Sequence, residues 1–464
     1  MNTGLEIPRV YKVHKEKKMK KRIISGMLVS ALLAATLVSG CGSEEKESDA
    51  AQTKNEKTES SADMSMFWWG NQVRNERTQA VLDMFSEEND GVKIDGQFAD
   101  GTDYWTRLAT LSAGGTLPDV IQMDYLYIEQ YANNELLLDL TPYLEDGTIN
   151  TENVSEGILK AGEIDGKVYG ICNGVNSPSL FYNKTLLDDA GIEVKDNMTL
   201  DEFKKLCKEV YEKTGYKTSL TYGSSTSTAY LEFLLRAHDK KLYGEGKFGV
   251  ENADEFNEFF ELLEEGIAEG WHVDPSVYVE RQAASVEQDC LVYGSNPELM
   301  SWCAFYSSNQ LVAMQNAAPE GTEIGITTWP SDNPAKSNYL KPSQFFCVSS
   351  NTENPEVAAK LLDYFTNSVE CNNVLLGERG VPISSVVSEE ISKNQDEKEK
   401  EVVSYINDVI TPNCSEINPP SPANSSEVIN LIDGLTEKVL FGELSAKEAS
   451  EQLFEQGNQI LATE

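Results

Sequence analysis

The chain has 464 residues, 40% hydrophobic and 25% charged, with 38 Lys/Arg against 76 Asp/Glu and a formal net charge of −38. Phosphate binding needs clustered Lys and Arg, so this balance excludes a nucleic-acid partner and says little about fold. At the N-terminus a basic cluster, Lys17, Lys18, Lys20, Lys21 and Arg22, precedes an almost uncharged run from Ile23 to Gly40. That order is the n-region and h-region of a secretory signal, and the run is short for a membrane span, which takes roughly 20 apolar residues. Met19, directly before Lys20, is itself a suitable start, so residues 1–18 read as an over-extended gene start. The first 40 residues hold eight Lys/Arg and two Glu, leaving 30 basic and 74 acidic residues in the remainder, net −44.

The apolar run ends Leu37-Val38-Ser39-Gly40-Cys41, which resembles a bacterial lipobox. The resemblance implies cleavage before Cys41 and lipidation of its thiol, with two acyl chains holding where one anchors only marginally. Residues 42–65 carry no aromatic side chain and are rich in Ser, Glu, Lys and Ala, too polar to offset chain entropy by burial; with Cys41 they read as a lipidated flexible tether, 41–65. Membrane attachment is expected through that anchor only, on the extracellular face of a cell membrane of Gram-positive type.

From Met66 onward short apolar runs alternate with amphipathic stretches, the pattern of an α/β fold, and 399 residues suit two lobes better than one small core. Met66 to Trp69 reads as a buried strand, Thr78 to Glu88 as a helix, Val92 to Ile94 as a second strand, and Tyr104 to Ala113 as a helix stopped by Gly114-Gly115. Pro118 to Met123 is the next strand. The Lys- and Glu-dense stretch Ser388 to Glu401 reads as a solvated helix and its cap. Seven cysteines beyond Cys41, at irregular spacing, form no disulfide framework and no zinc motif. They read as buried small hydrophobes, an arrangement suited to life without oxygen.

Several segments together resemble the extracellular solute-binding proteins of family 1, the maltodextrin-binding relatives. They are Trp68-Trp69-Gly70, then Ala113 to Val120, Tyr131 to Leu140, Asp165 to Ile171, Leu180 to Lys184, Thr199 to Phe203, Asn354 to Phe365 and Arg379 to Pro382. Leu200 stands where the family commonly has Trp. The resemblance implies a periplasmic-binding-protein-like fold of two α/β lobes joined by three crossings, near Cys172–Asn176, Tyr339–Ser343 and Gly380–Ser384. An N-lobe of 66–173 with 341–382 and a C-lobe of 174–340 with 383–464 follow. It also implies a monomeric receptor that captures a carbohydrate between its lobes and delivers it to the transmembrane subunits of an ABC permease. A same-fold receptor for a non-sugar solute or for a sensor, and a secreted glycosidase, are the alternatives.

A sugar cleft needs flat apolar faces for C–H groups and planar hydrogen-bonders for hydroxyls. Successive strand residues face opposite ways, so one of Trp68 and Trp69 faces the cleft; Trp69 is the candidate, followed by Asn71 and Arg74 at the strand's C-terminal end, where open α/β sheets place ligands. Core packing of both rings is the competing reading. By the resemblance, Asp124 and Tyr125 end the strand after Pro118 and face the sugar, with helix capping the alternative for Asp124. Trp302, Tyr306 and Asn309 resemble the family's C-lobe strand and loop, where an aromatic stacks on ligand; Trp302 and Tyr306, four apart, are expected on one strand face, with stacking of at least one on ligand and core packing the two readings. Asn176, Ser343 and Arg379 fall at the crossings. His238 and His272 are the only histidines after residue 40 and lack ligand spacing, and no nucleotide, cofactor or hydrolase motif appears, so neither enzyme chemistry nor a metal or cofactor is expected.

Overall fold

The computed structural model describes residues 62–462, apart from 71, 221–223, 282–285 and 423. The signal segment, Cys41, the tether up to residue 61 and Asn71 therefore lie outside the described residues. Strand β1 spans Ala62–Trp69, so the tether expected to run to residue 65 stops short of it. The reason is an alternation that composition alone conceals: Ala62, Met64 and Met66 are buried, while Asp63 points outward and Ser65 is half-buried.

Helix α1 (Gln72–Glu88) follows, beginning six residues earlier than its apolar pattern suggests, because its first inward positions are the polar Asn75 and Thr78. Trp68 explains the first of these: its buried Nε1 donates to Asn75 Oδ1 at 2.9 Å. Strand β2 (Val92–Ala99) pairs parallel with β1 in register from Ala62↔Val92 to Trp69↔Ala99. Helix α2 (Gly101–Ala113) is capped by Asp100, whose side chain accepts from Asp103 N, and strand β3 (Val120–Met123) then pairs parallel with the other edge of β1. Strand Phe345–Val348 runs antiparallel beside β3, and Ile171–Cys172 closes the five-stranded sheet.

The second sheet has Pro178–Asn183 between Cys303–Ser307 and Ile324–Thr327, all antiparallel. Its two faces enter different cores. Leu180, Cys303 and Phe305 join a core built with helices Leu200–Thr214, Asn257–Ala268, Ser425–Leu440 and Ala446–Leu461. Phe181, Ala304, Ile324 and Ile326 join the core of the first sheet. The first of those helices starts on a reciprocal cap between Thr199 and Glu202 and ends on Gly215, as the residue types require.

The stretch read as one solvated helix forms parts of two helices, Ser385–Ser392 and Glu397–Ser404, divided at Asp396, which caps the second; Val402 and Val403 are buried, and Lys398 Nζ donates to Ile324 O.

Three chain segments pass between the sheets and are hydrogen-bonded to one another. Asn176 pairs with Lys341, Val175 with Pro342, and Val175 also bridges to Val381. Gly380 sits at φ +100°, and a Cβ there would lie 3.1 Å from both Val175 N and O, so this crossing admits only glycine without strain. No helix among the described residues is long and apolar enough to cross a membrane.

Candidate functional site

The strand order β2-β1-β3 means that the chain leaves β1 toward one neighbour while β3 lies on the other side. The crevice beyond the carboxyl ends of β1 and β3 is thus a topological switch point, the place where open α/β sheets bind ligands. Trp69 ends β1 there. Its ring lies 5.2 Å from Trp105, and Trp105 lies 4.5 Å from Tyr127, all tilted against one another. Tyr104 backs this row; it is fully buried, 5.1 Å from both Trp69 and Trp105, and its hydroxyl donates to Gln122 O. Gln122 in turn donates from Nε2 to Trp69 O at 3.3 Å. Trp69 and Trp105 are half-buried and Tyr127 is 39% exposed, so the three rings form a shelf with accessible surface. Trp68, facing the opposite way, is fully buried.

Asp124 follows β3 directly. Its Oδ1 accepts from Leu126 N at 2.9 Å, and its carbonyl accepts from Tyr127 N and Ile128 N, so it shapes the turn that carries Tyr127 onto the shelf. Its second carboxylate oxygen makes no hydrogen bond among the described residues, and the side chain is half-buried. Asp124 therefore organises the turn and leaves one carboxylate oxygen without a hydrogen bond among the described residues.

Arg74, on the first turn of α1, is held by Glu378 through Nε contacts of 2.7 and 3.0 Å and donates to Gln344 Oε1 at 3.0 Å. Glu378 lines a cavity of about 280 Å³ beside the crossings, which Asn176 and Asn309 also line. Asn309 is exposed, and Asn176 Oδ1 is buried without a partner in that wall. Trp69 O, Arg74, Glu378 and the cavity are thus joined, Arg74 Nη1 standing 3.4 Å from that carbonyl.

Other candidates lie elsewhere. Arg379 is 3% exposed, donates to Gln122 Oε1 and to Thr78 Oγ1, and lies over the Phe346 ring. Burial pushes its guanidinium down to about 9, with neighbouring Arg74 adding to the effect. It ties elements of the first half together, so of the two readings open to it, lining the cleft or tying the structure, the second holds. Trp302 is corrected. It precedes its strand, is fully buried against Phe203 and donates from Nε1 to Thr218 Oγ1 at 2.8 Å, so it packs into the second core while Tyr306 packs at the edge of the first. The four-residue spacing does not place them together because strand alternation begins only at Cys303.

Tyr306 stacks parallel on Phe181 at 5.9 Å, and its hydroxyl donates to Asp289 Oδ2. Tyr125 turns from the shelf, lying against Phe345 and donating to Asn418 O at 3.1 Å; burial pushes its phenol up to about 12. Ser343 is half-buried at the second crossing, where its hydroxyl accepts from Gln344 Nε2.

Trp105 and Tyr127 are the shelf residues that sequence reasoning missed. A signal existed for the first: Tyr104 and Trp105 open the helix after β2 with an inward aromatic beside a second ring. Among the described residues no group of three or more His, Cys, Asp or Glu is placed to hold a metal ion. Cys172, Cys207, Cys290, Cys303, Cys347 and Cys371 are buried, Cys414 is partly buried, and none of them forms a disulfide.

A sequence profile described as bacterial extracellular solute-binding protein matches residues 80–398. The putative ABC transporter periplasmic-binding protein YcjN of Escherichia coli (strain K12) is 25% identical over 251 residues, 51% of this chain and 52% of that one. The arabinooligosaccharide-binding protein of Bacillus subtilis (strain 168) is 24% identical over 247 residues, 50% of this chain and 52% of that one. The chain thus spans about half the length of these curated relatives. A solved structure, an extracellular solute-binding protein of family 1 from Alicyclobacillus acidocaldarius, superposes with a TM-score of 0.78 at 24% identity, covering 87% of this chain and 99% of that one.

Proposed function

The chain belongs to the bacterial extracellular solute-binding proteins, and from that premise we propose that it is the receptor of an ABC importer, binding an oligosaccharide at the switch-point crevice and delivering it unaltered to the permease. The observation that carries this reading is the shelf of Trp69, Trp105 and Tyr127 beside the open oxygen of Asp124. Aromatic faces attract the polarised C–H edges of a pyranose or furanose ring, and a carboxylate accepts from two adjacent hydroxyls. The arabinooligosaccharide-binding relative supports an oligosaccharide ligand, and YcjN supports the transporter setting. Asn176 and Asn309 contribute polar contacts beside the crossings.

In this reading 66–173 with 341–382 form one lobe and 174–340 with 383–464 the other, extended by the strand residues Ala62 to Ser65. They close by bending at the three paired crossings, because a ligand touching both lobes favours the shut form. Diacylation at Cys41 tethers the monomer to the outer face of the cell membrane. Calorimetric titration of arabino-, xylo- and malto-oligosaccharides tests the proposal. One of them is expected to bind, and Trp105→Ala to weaken it by about 2 kcal/mol, near 30-fold, through loss of stacking and buried area. Binding unchanged in both Trp105→Ala and Trp69→Ala would overturn the assignment of the site.

A further inference from the structure

We infer, on the two-lobe receptor reading above, that residues 413–420 form a latch holding the lobes shut, with Tyr125 and Lys160 as the positioning residues it grips. The run leads out of a 3-10 turn, Thr411–Asn413, and has no regular structure apart from a bridge between Ser415 and Tyr339. On one side it is fixed to the second lobe. Arg236, 5% exposed, lies over the Tyr339 ring and donates to Asn418 Oδ1 at 2.7 Å, to Ser415 Oγ at 2.6 Å, to Glu416 O at 2.7 Å and to Ser337 O at 3.1 Å. Asn418 Nδ2 donates to Glu232 Oε1 at 2.6 Å, and Ser415 Oγ to Lys336 O at 2.6 Å. Three of the four acceptors of that buried arginine belong to the run, so the run moves as part of the second lobe. Pro419 and Pro420 stiffen it, each fixing its own φ, and Pro419 restricts Asn418 to extended conformations.

Toward the first lobe the grip is thin. The Tyr125 hydroxyl donates to Asn418 O at 3.1 Å, Lys160 Nζ donates to Glu416 Oε1 at 2.8 Å, and Ile417 packs at the edge of the first core. A cavity of about 310 Å³ is lined by Glu129 and Ile164 of that lobe and by Ile417 and Pro420 of the run. These contacts are therefore the ones that give way when the lobes part. Lys160 and Glu416 are both exposed, so the tyrosine hydroxyl carries more of the grip than the ion pair. Tyr125 follows Asp124 at the carboxyl end of β3, in the turn that carries Tyr127 onto the shelf, which puts the grip on the crevice side of the crossings, where it is made as the crevice shuts. Such a latch raises the population of the form that binds sugar, and with it the apparent affinity. Tyr125, expected from the sequence to face the sugar, acts on affinity through this latch.

Small-angle X-ray scattering of the ligand-free full chain tests the latch, comparing the parent with Tyr125→Phe, Glu416→Gln and the double variant; circular dichroism checks that each is folded. The double variant gives up one hydrogen bond and one exposed ion pair, about a tenfold loss in the closing equilibrium, and is expected to show a larger radius of gyration than the parent. Calorimetry with arabinotriose, xylotriose and maltotriose follows. The sugar that binds the parent best is expected to bind the double variant about fivefold more weakly, and at saturation to restore the parent's radius. A radius unchanged in the double variant would overturn the latch even with weaker sugar binding, which would then make Tyr125 a sugar contact and leave the carbohydrate reading standing. A larger radius that saturating sugar fails to reverse would overturn it as general loosening. Tighter sugar binding by the folded variant would overturn it as well, since the contacts would then hold the lobes apart. If none of the three sugars binds the parent, the carbohydrate reading falls and the ligand-free scattering alone decides the latch.

Discussion

His272 provides a pH-dependent probe of how the second half is built. The ring is 3% exposed, and its Nδ1 lies 2.8 Å from Val273 O, so Nδ1 carries the proton and Nε2 is left to accept from Leu220 N at 3.4 Å. A second proton would set N–H against N–H in a buried site that also faces Lys217. Burial, the larger effect, and that lysine push the imidazole down from 6.5 to about 4. Between those values the unfolded chain takes up a proton that the folded chain refuses, so stability is full above pH 6.5 and is lost as pH falls toward 4. The whole difference is worth about 3 kcal/mol, of which about 2 kcal/mol is lost between pH 7 and pH 5. Urea unfolding of the parent and of His272→Gln at both pH values measures it, since the amide does not titrate in this range and the carboxylates act alike in the two proteins. The parent is expected to lose about 2 kcal/mol more than the variant on acidification. Equal losses would refute the reasoning.

Trp302→Phe strands the buried Thr218 hydroxyl and removes indole atoms from a packed core, so it should cost about 2–3 kcal/mol in denaturant unfolding while sugar affinity stays at the parent value. Gly380→Ala meets positive φ and the Val175 backbone together; a loss of about 1–3 kcal/mol is expected, and an unchanged melting temperature would show that the crossing relaxes freely. A thiol reagent should modify at most Cys414 in the native protein and all seven of these cysteines in denaturant, whereas a single reactive thiol in denaturant would indicate three disulfides.

Much of the fold was legible because apolar periodicity and its punctuation agree along the chain. β1 through β3, the helices between them and the cap at Thr199 follow from local pattern, and the strand pair Trp68/Trp69 divides between core and surface as alternation requires. The start of β1 was hidden because Asp63 and Ser65 share the polar composition of the tether, so only pairing with β2 reveals the inward Ala62 and Met64. Arg379 and Trp302 were drawn into the candidate site for a common reason: a large polar or aromatic side chain near a motif looks like a ligand contact until its buried partners are known. For Arg379 these are Gln122 and Thr78, for Trp302 the Thr218 hydroxyl, all distant in sequence. The shelf depended on the same kind of information, since Trp105 on the helix between β2 and β3 packs on Trp69, and Tyr127 in the turn after β3 packs on Trp105.

The central claim is that a sugar lies on those three rings, and a crystal structure of the protein soaked with the tightest-binding oligosaccharide tests it most directly. Sugar carbons are expected within about 4 Å of Trp69, Trp105 and Tyr127, with a hydroxyl donating to Asp124. A bound sugar held elsewhere, with the three rings bare, would contradict it.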